Sequence, residues 1–218
     1  MTRALVIGAA AGALLTACAV ETVRDVAALK RLVDARDPDA IVAYEVDCPP
    51  AAPGCAQAHT IRADACLRRA QGVGVVDREA YARCAAESYD AAQVAAAARP
   101  DPLVDPARLV RWELEALRFW RDAAARDRGL ALNATLAERA ERVATAATDR
   151  PEGPYYLADA RIWPVNLGIE QPPCPGVASA LALAEAALPL EQAGEVDVQQ
   201  LVTDLARAAL AHGCDVPT

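Results

Sequence analysis

The sequence predicts an all-α protein of antiparallel helical hairpins, stapled by disulfides and arranged as a short α-solenoid or a compact helical bundle. Three observations carry this. Helix starts and stops recur along the chain as Asp-Pro, Cys-Pro, Thr-x-x-Glu and glycine signals. Only one stretch, Ile41-Val42-Ala43-Tyr44-Glu45-Val46, has β-type composition, and its capped start fits a short helix as well. Six of the seven cysteines fall where two helical hairpins and one short loop can bring them together in pairs.

The elements follow in order. Thr22 with Asp25 opens a helix to about Ala35. Asp37-Pro38 supplies an N-cap and a proline at the first helical position. A helix runs from about Ala56 to Gln71, and the turn Gly72-Val73-Gly74-Val75-Val76 leads to another, Arg78 to Ala98, capped by Asp77 and ended by Pro100. Asp105-Pro106 opens a long helix that stops near Gly129, with Leu109, Trp112, Ala116, Phe119, Trp120 and Ala123 on one broad face. Thr135 with Glu138 reads as a capping box, starting a helix to about Thr148. Asn133-Ala134-Thr135 matches a glycosylation sequon, but Asn133 fits the turn before that cap. Pro154 opens a helix that ends near Trp163-Pro164. Cys174-Pro175 opens the next, to about Leu190, and the last runs from about Val196 to His212 with Gly213 as its stop. Short loops make successive helices antiparallel neighbours.

Position narrows the fifteen pairings that six cysteines allow. Cys66 and Cys84 lie nearly equidistant from the Gly72–Val76 turn and face each other in a hairpin. Cys174 and Cys214 lie symmetrically about Ala193-Gly194-Glu195. Cys48 and Cys55 then close the loop Pro49-Pro50-Ala51-Ala52-Pro53-Gly54. Disulfide Cα atoms want about 5.5–6 Å whereas helix axes sit about 8–10 Å apart, so the Cys66–Cys84 pair needs inward-facing positions and small neighbours.

The amino end carries an address. One positive charge in Met1-Thr2-Arg3 precedes an uncharged apolar run, Ala4 to Leu15, which is the pattern of a secretory signal and too short for a span of roughly 20 residues. The run ends Leu15-Thr16-Ala17-Cys18, which resembles the lipobox of bacterial lipoproteins. The resemblance implies a diacylglyceryl group on the Cys18 thiol, cleavage on its amino side and acylation of the new amine. Residues 1–17 are then a cleaved signal peptide and residues 18–218 a single periplasmic helical domain. Ala17-Cys18-Ala19 also fits an ordinary cleavage site, which would release a soluble protein. Ala19 after the cysteine implies, by the same resemblance, outer-membrane delivery facing the periplasm, with inner-membrane anchoring as the alternative.

The net charge of −8, one unit more acidic once Arg3 is lost, disfavours phosphate backbones and therefore nucleic acid. It also makes the chain a poor peripheral binder of anionic headgroups. The basic residues are arginines apart from Lys30, a composition expected of a GC-rich genome. An exported chain with six remaining cysteines points to disulfides. The absence of Cys-x-x-Cys, with His59 and His212 the sole histidines, speaks against metal or redox chemistry, so no metal and no cofactor is expected.

Catalytic candidates are few. Neither Ser88 nor Ser179 sits in a Gly-x-Ser-x-Gly turn. His59, beside Arg62, reads as a half-exposed polar residue, and His212 suits a helix carboxyl end. Glu113 and Glu115 are two apart and point in different directions. The three tryptophans cluster between 112 and 163 with Phe119, Tyr155 and Tyr156. Core packing explains such a cluster. A binding groove would instead use Tyr155, Tyr156, Asp159 and Trp163, with Arg111 or Arg118 from the preceding helix. The segment Tyr155-Tyr156-Leu157-Ala158-Asp159-Ala160 resembles a first helix of a tetratricopeptide repeat, although the consensus Trp, Leu-Gly and Tyr positions do not follow in register. Taken together, the sequence leads to a lipid-anchored, non-enzymatic helical scaffold that holds a protein or peptide partner in the cell envelope. A small-molecule-binding accessory of a solute transporter and an envelope hydrolase without a motif are the alternatives.

Overall fold

The computed structural model describes residues 24–72, 74–124, 129–194 and 196–215. The signal-type segment 1–17, Cys18 and Thr22 lie outside the described residues. The described chain is all-α, with no strand among its described residues, and none of its helices is long and apolar enough to cross a membrane. The helices cluster into two compact units, residues 1–123 and 124–218.

In the first unit, helix α1 covers 24–34 and is followed by α2 (Pro38–Ala43), α3 (Cys55–Gln71), α4 (Arg78–Ala98) and α5 (Pro106–Ala124). Asp37 caps α2 by accepting from Ala40 N at 3.0 Å, and Asp105 accepts from Ala107 N at 3.0 Å at the start of α5. The β-like stretch divides: its first half is the end of α2, and 44–49 has no regular secondary structure, with Tyr44 in an extended backbone conformation. Leu29, Ile41, Ala58 and Ala65 form a buried cluster, with Val26, Tyr44 and Ile61 packed around it. Burying a side chain such as Leu29 contributes roughly 1.5–3 kcal/mol. Tyr44 donates to Asp25 Oδ1 at 2.7 Å and so ties the segment after α2 to α1.

The α3–α4 hairpin is packed through alanine. Ala63, Ala70, Ala82 and Ala85 are fully buried, so the two backbones approach closely enough for Cys66 and Cys84 to join with Cα atoms 5.8 Å apart. Cys48 and Cys55 form the local loop disulfide. Chain-entropy reasoning assigns about 3 kcal/mol to the Cys66–Cys84 clip and about 2 to the local one.

The second unit contains α6 (Leu130–Ala146), α7 (Glu152–Asn166), α8 (Cys174–Ala187), the 3₁₀ turn η1 (Leu188–Ala193) and α9 (Val198–Ala211). Its core joins Ala158, Ile162 and Val165 of α7 to Val177, Ala180, Leu181 and Ala184 of α8 and to Leu205 and Ala209 of α9. Cys174–Cys214 closes the α8–α9 hairpin with Cα atoms 5.3 Å apart. Asp197 caps α9, accepting from Gln200 N at 2.8 Å.

Three expectations are corrected here. Helix α6 begins at Leu130, so Thr135 is inside it rather than at its start, and its hydroxyl donates back to Ala131 O at 3.2 Å. Asn133 is likewise helical and buried, not in a turn; its Nδ2 donates to Ala160 O at 2.8 Å. That bond explains the third departure, the continuation of α7 through Pro164 to Asn166. Pro164 has no N–H to offer the Ala160 carbonyl one turn earlier. The Asn133 amide supplies the missing donor, so α7 carries an internal proline without leaving that buried carbonyl bare.

Candidate functional site

The first unit holds a cleft of about 550 Å³ where the end of α1, the start of α2 and one face of α3 meet. Its size falls in the range of ligand sites, roughly 300–1,000 Å³. Ile41, Ile61, Ala65 and Val33 supply apolar wall, and Arg36, Arg68 and Arg69 supply charge, with Asp37 and Asp64 the acidic members. In a chain of net charge −8, this is a local concentration of guanidinium.

The two carboxylates are already engaged. Asp37 caps α2. Asp64 accepts from the Tyr89 hydroxyl at 2.7 Å and from Arg108 at 3.0 Å. Burial and the neighbouring Asp64 charge hold the Tyr89 phenol protonated, far above the usual tyrosine range. Arg69 is ion-paired with Asp39, yet its Nε is buried with no hydrogen-bond partner among the described residues. The side chains of Arg36 and Arg68 have no ion-pair or hydrogen-bond partner among the described residues. The cleft therefore offers two uncommitted guanidinium groups beside an apolar wall. Arrangements of this kind suit a carboxylate attached to an apolar group.

Arg36 is also the chain's one non-glycine residue with positive φ among those described, at 56°. It ends α1 in a paired-bond cap: Arg36 N donates to Val33 O and Asp37 N to Leu32 O, each at 3.0 Å. Glycine is the usual occupant of this position, since a Cβ there is strained. An arginine held in the left-handed region at the lip of a cleft is the sort of local strain that accompanies binding sites.

A second constellation lies at the amino end of α3. His59 Nε2 sits 3.7 Å from Cys48 Sγ, and Cys48, Cys55 and His59 present their ligand atoms within 4.8 Å of one another. Burial, and secondarily the Arg62 charge, lowers the His59 pKa from its ordinary value. Arg62 itself is held by Val42 O at 3.3 Å and Ser88 Oγ at 2.9 Å.

The residues that the sequence singles out fall elsewhere. Tyr155, Tyr156, Asp159 and Trp163 are on α7 of the second unit. Tyr156 is buried, whereas Tyr155, Asp159 and Trp163 are half-buried. The rings of Tyr155 and Tyr156 meet edge to face at 5.5 Å. Arg111 and Arg118 belong to α5 of the first unit. Arg111 lies over the Trp112 ring at 6.0 Å. Arg118 lies over Phe119 at 5.2 Å and pairs with Glu115 at 2.6 Å. Glu113 is buried and accepts from Gln93.

Sequence reasoning missed the cleft arginines, because a charged residue at the end of a helix reads as solvated surface. The Asp37-Pro38 signal marks the turn that forms the lip. What local chemistry could not give was the approach of α3, which turns that surface into a wall. Comparison of the chain with protein-family models, curated proteins and solved structures finds no match.

Proposed function

We propose that this chain is a lipid-anchored binding protein of the bacterial envelope, which holds a peptide segment bearing a carboxylate in the cleft between α1, α2 and α3. The observation that carries the reading is the pair of uncommitted guanidiniums, Arg36 and Arg68, beside an apolar wall. The placement in the envelope rests on Leu15-Thr16-Ala17-Cys18 behind an apolar run and agrees with the three disulfides. Two or three acyl chains, at about 0.8 kcal/mol per buried methylene, hold a protein at a membrane far better than one.

Binding by such a site has a specific signature. Short peptides that end in an apolar residue with a free carboxylate bind, and their amidated counterparts bind at least roughly tenfold more weakly, since the charge-assisted bonds are lost. Replacing Arg36 and Arg68 together by alanine removes the discrimination while helical content is retained. Equal binding of acid and amide overturns the reading. Intact mass of the membrane-extracted protein tests the anchor: a chain beginning at acylated Cys18 is expected, and an unmodified chain beginning at Val20 refutes it. The cleft volume also suits a small organic acid, and apolar monocarboxylates in the same assay separate that reading from peptide capture.

A further inference from the structure

We propose that Cys48, Cys55 and His59 form a redox-gated zinc site, closed while the Cys48–Cys55 disulfide stands and opened when it is reduced to two thiols. Cys55 is the first residue of α3 and His59 lies one turn on, so both side chains emerge on the same face. Cys48 comes from the irregular segment that follows α2. His59 Nε2 stands 3.7 Å from Cys48 Sγ, and all three ligand atoms lie within 4.8 Å of one another. A tetrahedral zinc ion, with bonds of about 2.3 Å to sulfur and about 2.0–2.1 Å to nitrogen, sets sulfur and nitrogen about 3.6 Å apart and the two sulfurs about 3.8 Å apart. The imidazole already stands at ligand spacing from Cys48. The remaining movements are the parting of the two sulfurs and the setting of Cys55 Sγ, which lies within 4.8 Å of the imidazole nitrogen, at the same spacing.

The loop between them holds its shape without the sulfur–sulfur bond. Pro49, Pro50 and Pro53 restrict it, Ala52 N donates to Pro49 O at 2.8 Å, and Cys55 N donates to Ala52 O at 3.2 Å. Gly54 turns the chain into α3 at φ 82°. The thiols therefore stay near each other after reduction. The amino end of α3 favours a thiolate at Cys55. Arg62 is tied to Val42 and Ser88. No further histidine, cysteine or carboxylate joins the cluster among the described residues, which leaves the fourth zinc position to water.

The chemistry balances with a dithiol reductant. It delivers two electrons and two protons to the protein disulfide, leaving two protein thiols and its own disulfide. Zinc(II) then binds both sulfurs as thiolates and releases the two thiol protons to solvent.

Zinc itself is the probe, titrated against a chromophoric chelator into the oxidised protein and into protein pretreated with a dithiol. Alkylation mapping records which disulfides have opened, and circular dichroism follows helical content. The oxidised chain is expected to take up no zinc and the reduced chain one ion. C48S/C55S abolishes uptake, H59A weakens it roughly tenfold or more, and C174S/C214S leaves it unchanged. A reduced, still helical chain that binds no zinc overturns the proposal, as does H59A binding as well as the unaltered protein. Where complete reduction unfolds the chain, partial reduction is used, at a reductant level where alkylation mapping finds Cys66–Cys84 still closed. Zinc must then slow alkylation of Cys48 and Cys55 and spare the rate at Cys174 and Cys214; equal rates with and without zinc overturn the proposal.

Discussion

Replacing Arg36 by glycine should make the protein more stable than replacing it by alanine, although both remove the same charge. Arg36 sits at φ 56° in the cap that ends α1. Any Cβ in this region meets the neighbouring carbonyl, at a cost of roughly 1–2 kcal/mol. Glycine escapes that cost but loses about 0.5–1 kcal/mol through its freer unfolded chain. The difference leaves Arg36→Gly ahead of Arg36→Ala by about 0.5–1 kcal/mol. The charge contributes equally to both comparisons, because a cation at a helix carboxyl end is favourable by about 0.3–1 kcal/mol and each variant lacks it. Urea titration read by helical signal measures the gap directly. On heating it amounts to about 1–4 °C. Both variants should also bind the carboxylate peptide less well than the parent, to the same degree. Equal stability of the two variants, or a less stable glycine variant, refutes the account of Arg36 as a strained residue.

Three further outcomes follow from particular contacts. Gly153→Ala should destabilise the second unit by roughly 1–3 kcal/mol, read by urea titration, because an added Cβ would lie 2.5 Å from the Ala144 Cα. Asn133→Ala should cost about 1–3 kcal/mol by leaving the Ala160 carbonyl without its donor; the cost should shrink in a Pro164→Ala background, where a backbone N–H is restored, as a double-mutant cycle would measure. For His59 the folded pKa lies below the ordinary 6.5, so the unfolded chain takes up the proton first as pH falls. Stability is then full above about 6.5 and declines as pH falls towards the folded value; in His59→Gln, unfolding free energy against pH should lose this part of its acid slope.

Features fixed by neighbours in sequence were legible, and features fixed across space were not. Asp37-Pro38 gave a true cap because an aspartate two or three residues from a free N–H needs nothing else. Two cysteine pairs, Cys66–Cys84 and Cys174–Cys214, were legible because each is placed symmetrically about a turn, which left Cys48–Cys55 to close a local loop; buried alanines supplied the short Cα separation of Cys66–Cys84. Thr135 with Glu138 had the correct local chemistry but lies within a longer apolar pattern. The helix extends back to Leu130, and the hydroxyl bonds inside it. Asn133 could not be placed, since its partner is 27 residues away and is available because of Pro164. The cleft arginines were invisible for the same reason: their environment is made by α3, which the residues around 36 do not specify.

The two sites of the first unit share one scaffold, and the sequence pattern explains why it is α3. Cys55 and Cys66 tie the helix at two points, to the loop before it and to α4 behind it. Arg62, between them, bonds the end of α2 and Ser88 of α4. Between and just beyond these ties lie Ile61, Ala65, Arg68 and Arg69, the cleft wall. A binding group held on an element fixed at both ends loses little freedom when a ligand arrives, which is how preorganisation raises affinity without new contacts. The opposite lip is different in kind. It is a helix end whose cap holds an arginine in a conformation better suited to glycine. Glycine at position 36 would relieve the lip by about 0.5–1 kcal/mol, and loss of the cation at the helix carboxyl end would offset this by about 0.3–1 kcal/mol, so stability alone leaves the two residues nearly even. Under the proposed function, the charge of Arg36 tips that balance through what it does in the cleft, where it stands with Arg68 beside the apolar wall.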